Sequence, residues 1–218
     1  LVARTREPLE AAAKELAQET GRRIIAIPAD TGQDESVRSM VSRAAEAFGH
    51  LDILVNCAAQ AGGYGPVPAL SDITNDHFWS DMNIKVMGYL RCAREVAPFM
   101  RQQGWGRIIN ISGLAARQSG TTIGSMRNVS VAAMTKNLAD ELGPHGINVT
   151  VVHPGTTRTE RMSEETAQRV AQNNSVRRTI DARDIAHIVA FLASPKSVAI
   201  TGDAIAAGDL INASITLL

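Results

Sequence analysis

The residues able to move a proton or hold a flat ligand gather at the ends of apolar runs. Ser112 closes the run that includes Ile108, Ile109 and Ile111, and Thr121, Thr122 and Ser125 add hydroxyls just downstream. His153 closes a second run directly ahead of Pro154-Gly155, where it reads as a strand-end packing residue. Tyr64 sits in a loop with Gly62, Gly63 and Gly65; an unactivated phenol has a pKa of about 10, which makes it a slow base. Arg127 offers a charge beside Asn128, but neighbours on a helix point about 100° apart. Asp30 follows the run 24–29, and a carboxylate at a sheet edge can accept an amino N–H. Asn56-Cys57-Ala58-Ala59 is a small-residue turn of the kind that lets a backbone approach a flat ligand closely. Arg4, with Arg6 nearby, supplies a guanidinium that suits a phosphate and cannot accept from a hydroxyl.

The elements that must position these groups alternate. Strands are expected at 23–29, 52–56, 107–112, 147–153 and 204–207, and helices at 7–19, 34–48, 75–103, 124–142 and 181–193. Short apolar strands between amphipathic helices predict an α/β fold: a doubly wound parallel sheet covered on both faces, in three layers. Asp181 is placed to cap the last helix. Gly49, Gly104 and Gly143 fall where left-handed C-caps belong. Lys85 is expected on the surface and Tyr89 in packing. Cys57 and Cys92 have no metal-ligand or redox spacing and read as small buried residues of a reducing cytoplasm. With no repeat or linker visible, residues 1–218 read as one domain, and the polar stretch 156–180 as a mobile cover over a substrate.

The strand–helix–strand unit from Arg107 to Gly155, with the Asn56-Cys57-Ala58-Ala59 turn and the closing run 191–206, resembles the short-chain dehydrogenase/reductase family. The resemblance implies a Rossmann-like fold and a nicotinamide dinucleotide. It places Asp30 at the adenine amino group, makes Asn56 a brace for the sheet, and runs Ala58 and Ala59 past the adenosine. Pro154 and Gly155 would face the nicotinamide, with Thr159, or else Thr157, touching its carboxamide or the pyrophosphate. Asn83 would be the catalytic asparagine whose carbonyl holds a water. Dinucleotide folds that prefer NAD carry an acidic residue at the second strand's end; here Ala3 and Arg4 stand there, which favours NADP(H) over NAD(H).

The family's serine, tyrosine and lysine positions fall on Gly113, Gly124 and Asn128. The tyrosine and lysine share one helix face, four residues apart. Glycine has no proton to give, and asparagine can bond a ribose hydroxyl but has no charge. Ser112 and Tyr64 are the nearest candidates for the missing proton chemistry. The resemblance also sets a Gly-rich phosphate loop before Leu1, an N-terminally incomplete fold whose pyrophosphate would lack a helix N-terminus to bind. Gly62, Gly63 and Gly65 do not replace it, because they open no helix. The altered ending Gly208-Asp209 belongs to an edge that forms oligomers in the family, so a homo-oligomer, dimer or tetramer, is expected.

Composition excludes other classes. Lys+Arg and Asp+Glu are both 22, so the formal net charge is zero and no basic stripe suits nucleic acid. No run approaches the length of a membrane span. The expected protein is cytoplasmic and acts on a small alcohol/carbonyl or enoyl compound with non-standard proton transfer. The alternative is a dinucleotide-binding pseudoenzyme or regulatory subunit.

Overall fold

The computed structural model describes residues 1–60, 68–160 and 162–208. Tyr64 and Asp209 lie outside them. Every described strand pair is parallel. The main sheet has the order β3-β4-β5-β8, formed by Ile53–Asn56, Gly106–Ile111, Ile147–Pro154 and Ala204–Ala207. β1 (Val2–Ala3) and β2 (Ile27–Pro28) make a separate ribbon. The expected strand 23–29 shortens because a ladder can be only as long as its partner.

Helices cover both faces of the main sheet. On one face α2 (Asp34–Phe48), α4 (Gly88–Gln103) and α5 (Thr122–Leu142) enclose a core that includes Val37, Val96, Met100, Ile108, Leu142 and Val149. On the other, α7 (Ala182–Ala193) brings Leu192 against Ile109 and Val152. α1 (Arg6–Thr20) buries Leu9 and Ala13 beside the ribbon. The alternation of faces along β5 follows the two-residue period of a strand: Val152 meets α7, and Val151 packs with Tyr89 and Val131.

Two expectations are corrected. The single helix 75–103 is instead α3 (Asn75–Met82), a π-helical turn Asn83–Met87, and α4. Gly143 is right-handed at φ −54°, because Pro144 opens a short 3-10 turn; Gly146, at φ 76°, is the left-handed residue. The stretch 156–180 is built around a helix, α6 (Glu164–Asn173), capped by Ser163 and flanked by paired β6 (Thr157–Arg158) and β7 (Ile180–Asp181). Ala167, Ile180 and the polar Asn174 are buried there, while Val176 is exposed. Asp181 sits where a cap was expected, its N–H donating to the Asp184 carboxylate at 2.9 Å.

Candidate active site

Because the paired strands run parallel, their carboxyl ends share an edge, and there the sequence candidates fall into two groups. The first surrounds a cavity of about 730 Å³ between the β1–β2 ribbon and β3. Arg4, Asp30, Asn56, Ala58 and Ala59 all line it. Most of its other lining residues, among them Met40, Val41, Ile53, Val55 and Val96, are apolar, so the polar groups it offers a ligand are those at the strand ends, Arg4 and Asp30 among them. The Asp30 carboxylate accepts the Gly32 N–H at 2.9 Å and keeps a second oxygen for a ligand. Asn56 is buried and donates to Asn110 Oδ1 at 2.9 Å; Asn110 donates in turn to the Thr135 hydroxyl at 2.9 Å. That chain ties β3 to β4 and β4 to α5. Cys57, expected to be buried, is exposed at the end of β3, and only Cys92 is buried.

The second group lies at the carboxyl ends of β4 and β5. Pro154 ends β5, and the Gly155 N–H donates to the Ala207 carbonyl at 2.7 Å. A Cβ at Gly155 would collide with the Gly208 carbonyl, so this turn needs glycine for close approach. The Thr157 hydroxyl donates back to the Gly155 carbonyl at 3.1 Å; Thr159 is exposed, its carbonyl accepting from Met162. Asn128 is buried on α5, and its Oδ1 accepts from the Ser112 hydroxyl at 3.2 Å. A Cβ at Gly113 would stand 3.0 Å from the Asn128 amide nitrogen. A Cβ at Gly124 would stand 2.5 Å from the Thr121 hydroxyl, which caps the helix by accepting the Gly124 N–H at 3.1 Å. The two glycines therefore open no side-chain proton donor at positions 113 and 124.

The structure sets Asn83 apart from this group. Its amide donates to the Gly32 carbonyl at 3.2 Å, and its own carbonyl accepts from Arg91 at 3.1 Å. The side chain of the π turn that reaches the β4 end is Lys85, contrary to its expected place on the surface. Lys85 is 4% exposed, and its Nζ donates to the Ser112 carbonyl at 3.0 Å. Burial, reinforced by the Arg127 charge, lowers its pKa to about 8. Arg127 itself is held by both oxygens of Asp81, at 2.6 and 2.9 Å. One turn on from Lys85, the buried Tyr89 hydroxyl donates to the Ile111 carbonyl at 2.8 Å, and desolvation raises its pKa. His153 is 1% exposed and hydrogen-bonded to the Gly113 backbone, while its Nδ1 has no partner. Burial, then the nearby charges of Arg117 and Lys85, lowers its pKa to about 4, so it is neutral at physiological pH.

A sequence signal for Lys85 existed. It heads the buried stripe Tyr89, Cys92, Val96 and Met100, at spacings of four, three, four and four. A lysine on such a stripe has to be buried unless it snorkels out.

The described residues hold no group of three or more His, Cys, Asp or Glu side chains able to bind a metal ion, and no described helix is long and apolar enough to cross a membrane. The sequence profile of a family described as enoyl-(acyl carrier protein) reductase matches residues 1–208. The chain is 34% identical over 197 residues to the short-chain reductase protein NovJ of Streptomyces niveus, covering 85% of this chain and 73% of that protein. Among solved structures it is similar to a double mutant of a Serratia marcescens short-chain dehydrogenase/reductase, with TM-score 0.85 and 27% identity over 94% of this chain and 84% of the other. It is also similar to an NAD⁺-bound xylitol dehydrogenase, with TM-score 0.85 and 25% identity over 96% of this chain and 87% of the other.

Proposed function

The chain belongs to the short-chain dehydrogenase/reductase family, and from that premise we propose that it moves a hydride between a nicotinamide dinucleotide and a small alcohol/carbonyl or enoyl compound. The observation that carries this reading is that Arg4, Asp30, Asn56, Ala58 and Ala59 all stand at the carboxyl ends of parallel strands, β1, β2 and β3. Asp30 would accept from the adenine amino group, and Ala58 and Ala59 would lie against the adenosine. Pro154, Gly155, Thr157 and Thr159 would flank the nicotinamide, and Asn128 would bond a ribose hydroxyl. When bound, the reduced nicotinamide supplies the hydride; the protein orients the reactants and handles the proton. With glycine at positions 113 and 124, that proton comes from elsewhere.

Arg4 at the end of β1, with no carboxylate at Ala3, favours NADP(H). The reading includes a single domain, with 156–180 covering the substrate, acting as a homo-oligomer in the cytoplasm. A second reading, a dinucleotide-binding pseudoenzyme or regulatory subunit, is favoured by the same two glycines, which carry no acid. Titration of the full-length protein with NADPH and NADH, followed by single-turnover nicotinamide absorbance over a carbonyl and enoyl panel, separates the two. The expected result is binding with turnover, tighter for NADPH, with Arg4→Ala narrowing the NADPH preference at least about tenfold. Binding without turnover over the panel favours the second reading, and no binding removes both.

A further inference from the structure

We infer that Lys85 is the proton donor of this site: its ammonium gives the substrate oxygen the proton that residue 124 cannot. This deepens the oxidoreductase reading above and rests on it.

The geometry begins in the π-helical turn. A π turn widens the helix and re-aims the side chains around it. Here it carries Lys85 into the polar cluster at the carboxyl ends of β4 and β5. There Nζ donates to the Ser112 carbonyl, beside Gly113, and the Ser112 hydroxyl donates to Asn128. An ammonium has three N–H donors. Among the described residues Lys85 makes one hydrogen bond and no ion pair. A buried cation with two donors unspent, the carboxylate that faces it, Asp81, being bonded to Arg127 instead, is costly unless a ligand completes it. The ligand that completes it is an oxygen acceptor, as a carbonyl substrate provides.

The other groups facing Lys85 do not compete for the role. From α5 and α3, Arg127 Nη1 is held by both Asp81 oxygens, and the guanidinium, although its Nε has no partner among the described residues, cannot release a proton. From α4, Tyr89 is committed to the Ile111 carbonyl and has a raised pKa. From β5, His153 is neutral. Cys57, after β3, acts on Lys85 through its charge alone and favours the ammonium. Lys85 is the member of this cluster that carries a proton at neutral pH and can release it, since its pKa is about 8.

The step balances. As the carbonyl carbon gains a hydride at the expense of the reduced dinucleotide, the C=O π pair moves onto oxygen. An N–H bond of Lys85 breaks, an O–H bond forms, and the amine left behind regains its proton from water. In the oxidative direction the amine accepts the hydroxyl proton.

Two readouts on the full-length protein test this. The first needs no turnover. The chain has four lysines, at 14, 85, 136 and 196. With lysine ¹³C-labelled at Cε, NMR should show one resonance titrating near pH 8, absent from Lys85→Gln. The second is the single-turnover reduction rate against pH. In the wild type it is flat in acid and falls tenfold per pH unit above about 8. Lys85→Gln should lose at least about a hundredfold. Lys85→Arg keeps charge and hydrogen bonds but cannot release a proton, so it should be equally slow, with nicotinamide binding unchanged. The absence of any lysine resonance titrating near pH 8, or an Arg variant as fast as the wild type, overturns the assignment while leaving the oxidoreductase reading intact. A wild type that binds cofactor but reduces nothing overturns both.

Discussion

At the scale of single residues, Lys85 has a consequence for stability that is independent of catalysis. Its pKa falls from 10.5 in the unfolded chain to about 8 in the fold. Below pH 8 it is protonated in both states, and the fold bears the full cost of burying the charge. Between pH 8 and 10.5 the folded state releases the proton while the unfolded state keeps it, so this contribution makes stability rise with pH. Lys85→Met should therefore stabilise the protein at pH 7, by roughly 2–4 kcal/mol less whatever the Ser112 carbonyl loses. Urea unfolding at pH 7 and pH 10 checks this: the Met variant's advantage should shrink at the higher pH, and an advantage that grows instead would contradict the burial. Residue 124 behaves differently. The Thr121 hydroxyl already occupies the space a Cβ would need there, so a tyrosine cannot be restored without disturbing the cap of α5.

At the scale of elements, the join between α3 and α4 decides which side chains enter the site. The π turn is held by Arg91, which donates to the Asn83 carbonyl at 3.1 Å, the Thr31 carbonyl at 3.2 Å and the Asp34 carboxylate at 3.0 Å. One guanidinium thereby fastens the turn to the loop after β2 and to the start of α2. Arg91→Met should lower stability, since it strips a charged donor from two part-buried carbonyls and the Asp34 carboxylate. It should also shift the Lys85 Cε titration back toward that of an exposed lysine. A destabilised variant with an unmoved Lys85 would show that the turn holds its shape without the clamp. This join also marks where the sequence was hard to read. The residues 75–103 keep a helical apolar period on both sides of the turn, and a π turn is a change in hydrogen-bond register that leaves no mark in composition. Charge alone puts Lys85 on the surface, whereas the helical period sets it on the buried stripe of Tyr89, Cys92, Val96 and Met100. By contrast, the strand-end residues Asp30, Asn56 and Pro154-Gly155 were legible, because a strand end followed by a small or polar turn is written locally in the chain.

At the scale of the whole molecule, the described strands form a four-stranded parallel sheet and a separate two-stranded ribbon, with the cavity between them. The facing edges belong to β1 and β3, neither of which has a second partner among the described residues. β3 leaves Ile53 47% and Val55 43% exposed. The sheet would be continuous if one more parallel strand lay between them, and until that gap is filled those apolar side chains remain in water. The layers and strand direction were legible from the alternation of apolar runs and amphipathic periods. The residues proposed to hold the cofactor line this gap, and those proposed to handle the proton meet at the carboxyl ends of β4 and β5. The account holds that the two groups serve one reaction, and hydride transfer itself tests that most directly. Full-length protein would be given NADPH or NADH carrying deuterium at nicotinamide C4, together with the carbonyl and enoyl panel. The account predicts a product with one deuterium on the reduced carbon for each cofactor oxidised. Tight cofactor binding with no deuterated product from any member of the panel would contradict it.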